Sequence, residues 1–423
     1  MKILFVVDSL SDLCGANVNI VRTLTRQIKN RGYEISVLSK SDCKRSVSER
    51  IAKEFDHMYL LKSDDVEFFP AFKLVVDEKS SRLKQSIWMI KHPGIFFKGI
   101  DIVFFGARFT KREFTREISQ ICKQNDIDAI IGVSAPYYIA EAVSQTDIGA
   151  VKAVYQLDPY TNNYTLPRFT KAWRRRTERR TIKNLDVLFL PDFVKEDMIG
   201  QKISETSSKI LEVNLPGIIA KEIGRKVIEQ KKVSLDKNIV CLFAGKFYKN
   251  IRNPRYLLEL FCCLPQNYSL HIVGCGCEKI IDSYREKLKK RLIHHGYVGK
   301  SEADRYAKNA DILINVDNSI RNQMPSKVLD YISQGKRIVN ICKDKDCLSA
   351  KLLENYSNGI NVYEEKRSIE DNANCIDEFV KQDAKQITSK EVLKMYWKYT
   401  DQYVAETIAA SLEKLVNSTK IKI

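Results

Sequence analysis

Histidine is scarce in this chain. There are five in 423 residues, at 57, 92, 271, 294 and 295. Their spacing gathers no ligand set, so a structural metal site is not expected. The cysteines do not make up for this. Their number is odd, no C-x-x-C pair exists, Cys262 and Cys263 are adjacent, and one residue separates Cys275 from Cys277. That pattern excludes a disulfide framework. No run of 18 apolar residues is present, which excludes a spanning helix. Met1-Lys2 leads through Ile3–Val7 straight to Asp8, too short an apolar run for a secretory signal. A reduced, cytosolic protein is expected. No short-period repeat appears either, which removes solenoids and propellers.

What is present is basic charge. Seventy Lys and Arg against 53 Asp and Glu leave +17, which points to anionic partners: nucleic acid, sugar nucleotides or an anionic membrane face. A 44% hydrophobic share is enough for packed cores in two or three domains. The chain alternates short apolar runs with amphipathic helices. Residues 2–8 read as a buried parallel strand, 16–31 as a helix with Val18, Val21, Leu24 and Ile28 on one stripe, and 33–39 as the next strand. Further strands are expected at 101–105, 128–133, 151–156, 186–190 and about 209–214. In the second half, strands at 239–244, 269–273, 296–298, 311–316 and 337–342 alternate with helices at 254–264, 277–291, 301–309 and 325–334. The tail, 390–416, reads as one amphipathic helix.

This is an α/β pattern of two doubly wound domains. The boundaries expected are 1–216, a polar linker over 217–237, 238–388, and a final segment, 389–423, that packs back on the first domain. Ligands of doubly wound sheets bind beyond the carboxyl ends of the strands, so the loops there are the places to search.

The most informative loop is Asn322-Gln323-Met324-Pro325-Ser326-Lys327-Val328-Leu329-Asp330-Tyr331, followed by Gly335-Lys336. Pro325 suits a first helical position, which leaves the N–H groups of Ser326 and Lys327 free for an anion. Lys327 adds a full charge, and Asp330 shares its helical face. A lysine at a helix start suits a pyrophosphate, and a carboxylate one turn deeper suits ribose hydroxyls. The plainer alternative is a capped core helix. Asp158, in Leu157-Asp158-Pro159 at the end of the 151–156 strand, is placed to orient or deprotonate an acceptor hydroxyl, or else simply to start a turn. Asp344-Lys345-Asp346 has D-x-D spacing but lies in a lysine-rich loop beyond this helix, and no metal is expected there.

The run from Pro325 through Gly335-Lys336-Arg337-Ile338-Val339 resembles the donor-binding helix of GT-B glycosyltransferases, particularly family-4-like bacterial enzymes. In that family an E-x7-E motif is common. The matching positions are Asn322, where the Glu linked to the donor sugar would stand, and Asp330, which keeps a carboxylate for the ribose. The resemblance further implies phosphate contacts in the Gly245–Pro254 loop, with Lys246 in the usual first position and Lys249 or Arg252 in the second. It makes Gly274, in Gly274-Cys275-Gly276, the glycine turn beside the nucleotide, and Tyr297-Val298 the segment whose backbone reads the base edge. His294 and His295 are expected at the surface. Asp8-Ser9 through Cys14-Gly15-Ala16 resembles the family's glycine loop, where Gly15 lets donor and acceptor approach. A solvated basic loop and ordinary tight turns are the plainer alternatives for these segments.

The implied activity is metal-independent transfer of a sugar from a nucleoside-diphosphate sugar to a hydroxyl of a glycan or lipid-linked glycan. Retention of configuration is expected, as is a role in surface polysaccharide synthesis. The donor is a co-substrate, and no cofactor is expected. A catalytically silent relative and an epimerase-like protein are the alternatives within the fold. Nucleic-acid binding is the remote one, since no helix-turn-helix, zinc-finger or RNA motif is present. Two basic stretches with tryptophans, 168–183 and 84–98, suit an anionic membrane surface on the acceptor side.

Overall fold

A computed structural model describes residues 1–10, 16–41, 49–62, 101, 107–134, 136–163, 166, 168–201, 209–220, 238–320, 323–325, 327–383, 385 and 387–420. The expected strand at 101–105 falls outside these residues except at its first position. The chain divides into two compact units, Met1–Pro216 with Asp401–Ile423, and Gly217–Thr400.

The first unit is built on strands β1 (Lys2–Ser9), β2 (Glu34–Ser41), β3 (His57–Lys62), β4 (Ala129–Ser134), β5 (Val151–Gln156), β6 (Val187–Leu190) and β7 (Ile210–Glu212). All pair in parallel, in the order β3-β2-β1-β4-β5-β6-β7. Its helices are α1 (Ala16–Lys29), α2 (Glu49–Ala52), α3 (Arg108–Asn125), α4 (Tyr138–Gln145), α5 (Lys171–Lys183) and α6 (Asp192–Gly200). Ile3–Val7 of β1 and Ala129–Ser134 of β4 are buried throughout, as a sheet covered on both faces requires. The strand order reverses beside β1, so the crevice between β1 and β4 is the topological switch point.

The second unit has β8 (Ile239–Lys246), β9 (Tyr268–Cys275), β10 (Leu292–Gly296), β11 (Ile312–Val316), β12 (Arg337–Cys342) and β13 (Gly359–Tyr363), in the order β10-β9-β8-β11-β12-β13. The helices are α7 (Arg255–Cys263), α8 (Glu278–Asp282), α9 (Arg285–Leu288), α10 (Lys300–Asn309), α11 (Lys327–Ile332), α12 (Leu348–Leu353), α13 (Ile369–Lys381) and α14 (Ser389–Met395). Helix α15 (Asp401–Lys420) belongs to the first unit. One hydrophobic core runs from Ile239 and Phe243 through Leu258 and Ile272 to Ile376.

Several expected boundaries move. The helix expected over 277–291 is broken into α8, α9 and a 3₁₀ turn, Lys289–Arg291. Tyr284 turns inward between the pieces and donates to Glu259 Oε1 at 2.9 Å. The expected 296–298 strand is β10, which ends at Gly296, with φ 71°. The single tail helix is interrupted after Met395. Tyr396 is buried and donates to Leu352 O at 2.9 Å, and Thr400 is extended and bridges Ile218. Residues 389–400 therefore stay with the second unit. The start of the expected linker does too: Ile218 is buried and donates its N–H to Tyr399 O at 3.0 Å, while residues 221–237 lie outside the described residues.

Helix α15 buries Val404, Ala405, Ile408, Ala409, Leu412 and Val416, a helical stripe, within the first unit. Polar contacts fix its register: Gln27 donates to Asp401 Oδ2 at 2.6 Å, Arg31 pairs with Glu406 at 3.2 Å, and Lys420 pairs with Asp128 at 2.9 Å.

Candidate functional site

In the second unit, three strand ends and the loops after them converge: β8, β9 and β11. Strand β8 meets β9 in register, Gly245 opposite Gly274 and Lys246 opposite Cys275. The approach is close. A Cβ on Gly274, at φ +141°, would lie 1.7 Å from Gly245 O, and one on Gly276, at φ +99°, 2.2 Å from Phe247 O. Only glycine fits either place. The glycine turn is thus required by backbone packing alone. Lys246, the last residue of β8, is exposed, with Nζ 5.1 Å from the centre of the Tyr248 ring.

The following loop is anchored by Phe247, buried and stacked on Phe243 at 4.0 Å. It then folds on itself: Arg252 N donates to Tyr248 O at 2.9 Å, and Tyr248 N returns the bond to Arg252 O at 3.0 Å. Lys249 stays on the outside of this turn, and Asn253 Nδ2 donates to its carbonyl at 3.0 Å. Arg252 points the other way. Its Nη2 donates to Asn318 Oδ1 at 2.8 Å, and its Nε is buried without a hydrogen-bond partner among the described residues. Burial pulls the guanidinium below its usual pKa, while neighbouring Asp317 acts in the opposite direction. An arginine stays charged under such a shift. A half-buried, charged guanidinium whose Nε is shut off from water and unpaired among the described residues is costly unless something anionic completes it.

The loop after β11 holds this arginine. Ser319 N donates to Ile251 O at 2.7 Å, and Asn318 Nδ2 donates to Gln323 O at 3.2 Å. Asp317 is buried, and burial raises its carboxyl pKa. Its Oδ1 accepts from Asn318 N at 2.7 Å, and Ser349 Oγ donates to its Oδ2 at 2.5 Å. Behind it stands a ladder of three asparagines on neighbouring strands. Asn315 Nδ2 donates to Asn340 Oδ1 and Asn340 Nδ2 to Asn361 Oδ1, both at 2.7 Å, and Asn361 Nδ2 ends on Ala350 O at 3.1 Å. This ladder ties α12, and Ser349 with it, to the sheet. Asp317, Asn318 and the ladder are not among the residues that the sequence singles out above. The signal was an Asn at matching depth in the runs 311–316, 337–342 and 359–363.

Helix α11 contributes Lys327 and Asp330, which pair at 3.4 Å and are both partly exposed. It is shorter than the expected 325–334 helix, spanning Lys327–Ile332 before a turn to Gly335 at φ 68°. Tyr331, buried, accepts from Ala244 N at 3.1 Å and so ties α11 to β8. Asn322, Ser326 and Gly15 lie outside the described residues.

The structure thus brings Lys246, Arg252, Gly274, Lys327 and Asp330 to the carboxyl ends of one sheet. Tyr297, 68% exposed, and Val298 follow β10 in the same unit. His294 is half-buried rather than a surface residue, with Nε2 3.1 Å from Gly274 O. His295 Nε2 lies 3.1 Å from His271 Nδ1, and burial lowers the pKa of both His295 and His271. Asp344 is a turn former whose Oδ1 accepts from Asp346 N at 2.8 Å. Among the described residues no three His, Cys, Asp or Glu side chains converge as a metal site.

Asp158 belongs to the first unit, in the loop after β5. That loop sits on a buried polar network. Gln156 Nε2 donates to Asp158 O at 3.2 Å and to Glu178 Oε1 at 2.7 Å, and Thr161 Oγ1 donates to Glu178 Oε2 at 2.6 Å. Burial raises the Glu178 pKa. Helix α5 is thus anchored along one buried face, with Thr177, Glu178, Thr181 and Ile182 inside. Arg174 is buried and donates to Thr161 O at 2.9 Å. Its other face is open and carries Lys171, Arg175, Arg176, Arg179, Arg180 and Lys183, with Phe169 (74% exposed) and Trp173 (38%) at its start. The second basic stretch, 84–98, lies outside the described residues.

Residues 238–381 match the family model described as glycosyl transferases group 1. No curated protein matches the chain. Among solved structures, it is similar to the lipopolysaccharide outer core galactosyltransferase WaaB in its apo form, with 15% identity, 98% of this chain and 99% of that one covered, and a TM-score of 0.62. It is also similar to sucrose-phosphate synthase from Thermosynechococcus elongatus, with 10% identity, 99% and 100% covered, and a TM-score of 0.67. A third likeness is to HepE of Anabaena in complex with UDP, with 11% identity, 98% and 100% covered, and a TM-score of 0.61. The shared fold is GT-B, as the sequence resemblance implied. Residues 238–381 thus match a glycosyl transferase group 1 model, and the chain as a whole shares the fold of these structures.

Proposed function

We propose that the protein transfers a sugar from a nucleoside-diphosphate sugar to a hydroxyl of a glycan or lipid-linked glycan, with retention and without a metal ion, in surface polysaccharide synthesis. The observation that carries this is Arg252, half-buried with a buried Nε that has no partner among the described residues, in the loop after β8 at the sheet end that also presents Lys246 and Lys327. These three cations would hold the diphosphate and stabilise the charge that develops on it as the glycosidic bond breaks. Lys249 would assist at the rim. Asp330 would accept from the ribose hydroxyls, and the backbone at Tyr297-Val298 would meet the base. In the first unit, Asp158 would orient or deprotonate the acceptor hydroxyl. The likeness to HepE, one structure of which holds UDP and another UDP and glucose, supports a nucleotide-sugar donor.

The open face of α5 supports a second part of the reading, a peripheral hold on an anionic cytoplasmic membrane surface where a lipid-linked acceptor would lie. Lysines and arginines near such a surface contribute about 1 kcal/mol each, and the exposed Phe169 and Trp173 suit the interface. No described helix is long and apolar enough to cross a membrane.

The test is a thermal-shift panel of the full chain with UDP, GDP, CDP and ADP, each in EDTA and in Mg²⁺. A ligand bound to the native state raises the melting temperature by mass action. One diphosphate shifting it in EDTA is the expected result, and no shift with any of them would refute the donor site.

A further inference from the structure

A second polar constellation sits in the first unit, at the switch point between β1 and β4. Asp8 lies near the end of β1, Lys40 near the end of β2, and Tyr138 opens α4 just after β4. Lys40 Nζ donates to Tyr138 OH at 2.8 Å and pairs with Asp8 Oδ1 at 3.3 Å. Tyr138 OH in turn donates to the same Oδ1. Lys40 is also held over the Tyr138 ring, 4.9 Å from its centre, and faces the Phe114 ring of α3 at 6.0 Å.

This arrangement spends one carboxylate oxygen and leaves the other. Asp8 Oδ2 makes no hydrogen bond among the described residues, and the Asp8 side chain is 33% exposed while Lys40 beneath it is 16% exposed. Of the three N–H donors on its ammonium, Lys40 gives one to Tyr138 and lies 3.3 Å from Asp8 Oδ1 as an ion pair, so donor capacity remains. The cluster thus presents a fixed acceptor and a fixed donor side by side, which is what a hydroxyl needs, since it both donates and accepts. An isolated surface ion pair would need neither the tyrosine nor the aromatic hold on the lysine. The place is also the one where doubly wound sheets receive ligands: beyond the carboxyl ends of the strands where their order reverses.

We infer that Asp8, Lys40 and Tyr138 form a subsite for a hydroxyl of a sugar ring. Asp8 Oδ2 accepts from that hydroxyl, Lys40 donates to it or to its neighbour, and Tyr138 fixes the carboxylate. Identifying this sugar as the acceptor rests on the glycosyl-transfer reading of the second unit.

The test is saturation-transfer NMR on the full chain with methyl glycosides of glucose, galactose, mannose and N-acetylglucosamine. At least one is expected to bind the wild type. Asp8→Asn, which keeps the shape and removes the charge, should weaken that binding by about tenfold or more. Tyr138→Phe should weaken it less, because the carboxylate remains. Binding of none of the four by the wild type, or equal binding by Asp8→Asn, overturns the subsite. If Asp8→Asn does not fold, Tyr138→Phe decides, and wild-type affinity in that variant overturns it. A nucleoside-diphosphate shift without glycoside binding removes this subsite and leaves the donor reading standing. Glycoside binding without any diphosphate shift does the reverse.

Discussion

Replacing Gly274 by Ala tests the packing that brings Lys246 and its loop to the site. The added Cβ would stand 1.7 Å from Gly245 O and 2.7 Å from Gly245 C. Both obstacles are backbone in a paired strand, so no rotamer change relieves them. The residue sits at φ +141°, where a side chain costs about 1–3 kcal/mol. Forcing atoms into a packed site costs about 1–3 kcal/mol more. The expected destabilisation is roughly 2–6 kcal/mol. For a unit of this size each kcal/mol moves the midpoint by about 2–4 °C, so scanning calorimetry of the full chain should show the second unit melting at least several degrees early. Gly149→Ala is the control. Nothing lies within 4 Å of its Cβ and its φ is not positive, so it should melt with the wild type. Gly274→Ala melting with the wild type would refute the close approach of β8 and β9.

Three further outcomes follow from named contacts. Lys327→Ala should cut sugar transfer while leaving the melting temperature nearly unchanged, because the half-exposed pair with Asp330 is worth at most about 1 kcal/mol; full turnover in that variant counts against its role. Glu178→Gln should change stability in a pH-dependent way. Burial raises the Glu178 pKa, so its folded-state stability is complete below the unfolded value of about 4.3 and is lost as pH rises through the folded value. The variant should therefore gain on the wild type in thermal melts between acid and neutral pH, and a constant difference would exclude a buried, protonation-linked Glu178. Sedimentation with vesicles containing phosphatidylglycerol should retain the wild type at low salt and release Arg175→Glu/Arg176→Glu, and equal retention would remove the α5 face as a membrane contact.

The regular parts of the fold were legible because parallel strands covered on both faces write themselves as continuous apolar runs. Ile3–Val7 and Ile239–Ala244 are of this kind. Strand β3 (His57–Lys62), at the sheet edge, offers only the short apolar run Met58–Leu61, and β13 (Gly359–Tyr363), at the edge of the other sheet, is a short run interrupted by Asn361. Long helices were overread where a single buried tyrosine breaks them. Tyr284 and Tyr396 each fit a helical stripe by spacing, yet each is drawn into a hydrogen bond elsewhere in its unit.

At the site, charged residues in loops after strands were readable as candidates. What spacing could not rank was Arg252 against Lys249. The two differ in that one turns inward to Asn318 and the other stays outside, a distinction made by the Tyr248–Arg252 turn. The asparagine ladder and the Asp8–Lys40–Tyr138 cluster join residues from separate strands, and no local pattern in one chain segment announces such contacts.

The most direct test of the donor site is calorimetric titration of wild type and Arg252→Gln with UDP, GDP, CDP and ADP in EDTA. A charge-assisted bond to a phosphate is worth about 1.5–3 kcal/mol, or a factor of roughly 10–150 in affinity. If Arg252 holds the diphosphate, one of the four binds the wild type and binds Arg252→Gln weaker by such a factor. The variant should still fold, since the change removes a half-buried charge with an unpaired Nε among the described residues, and the loss of the Nη2 bond to Asn318 costs only about 1 kcal/mol. Equal affinity in the two proteins, or no binding by the wild type, would contradict that role.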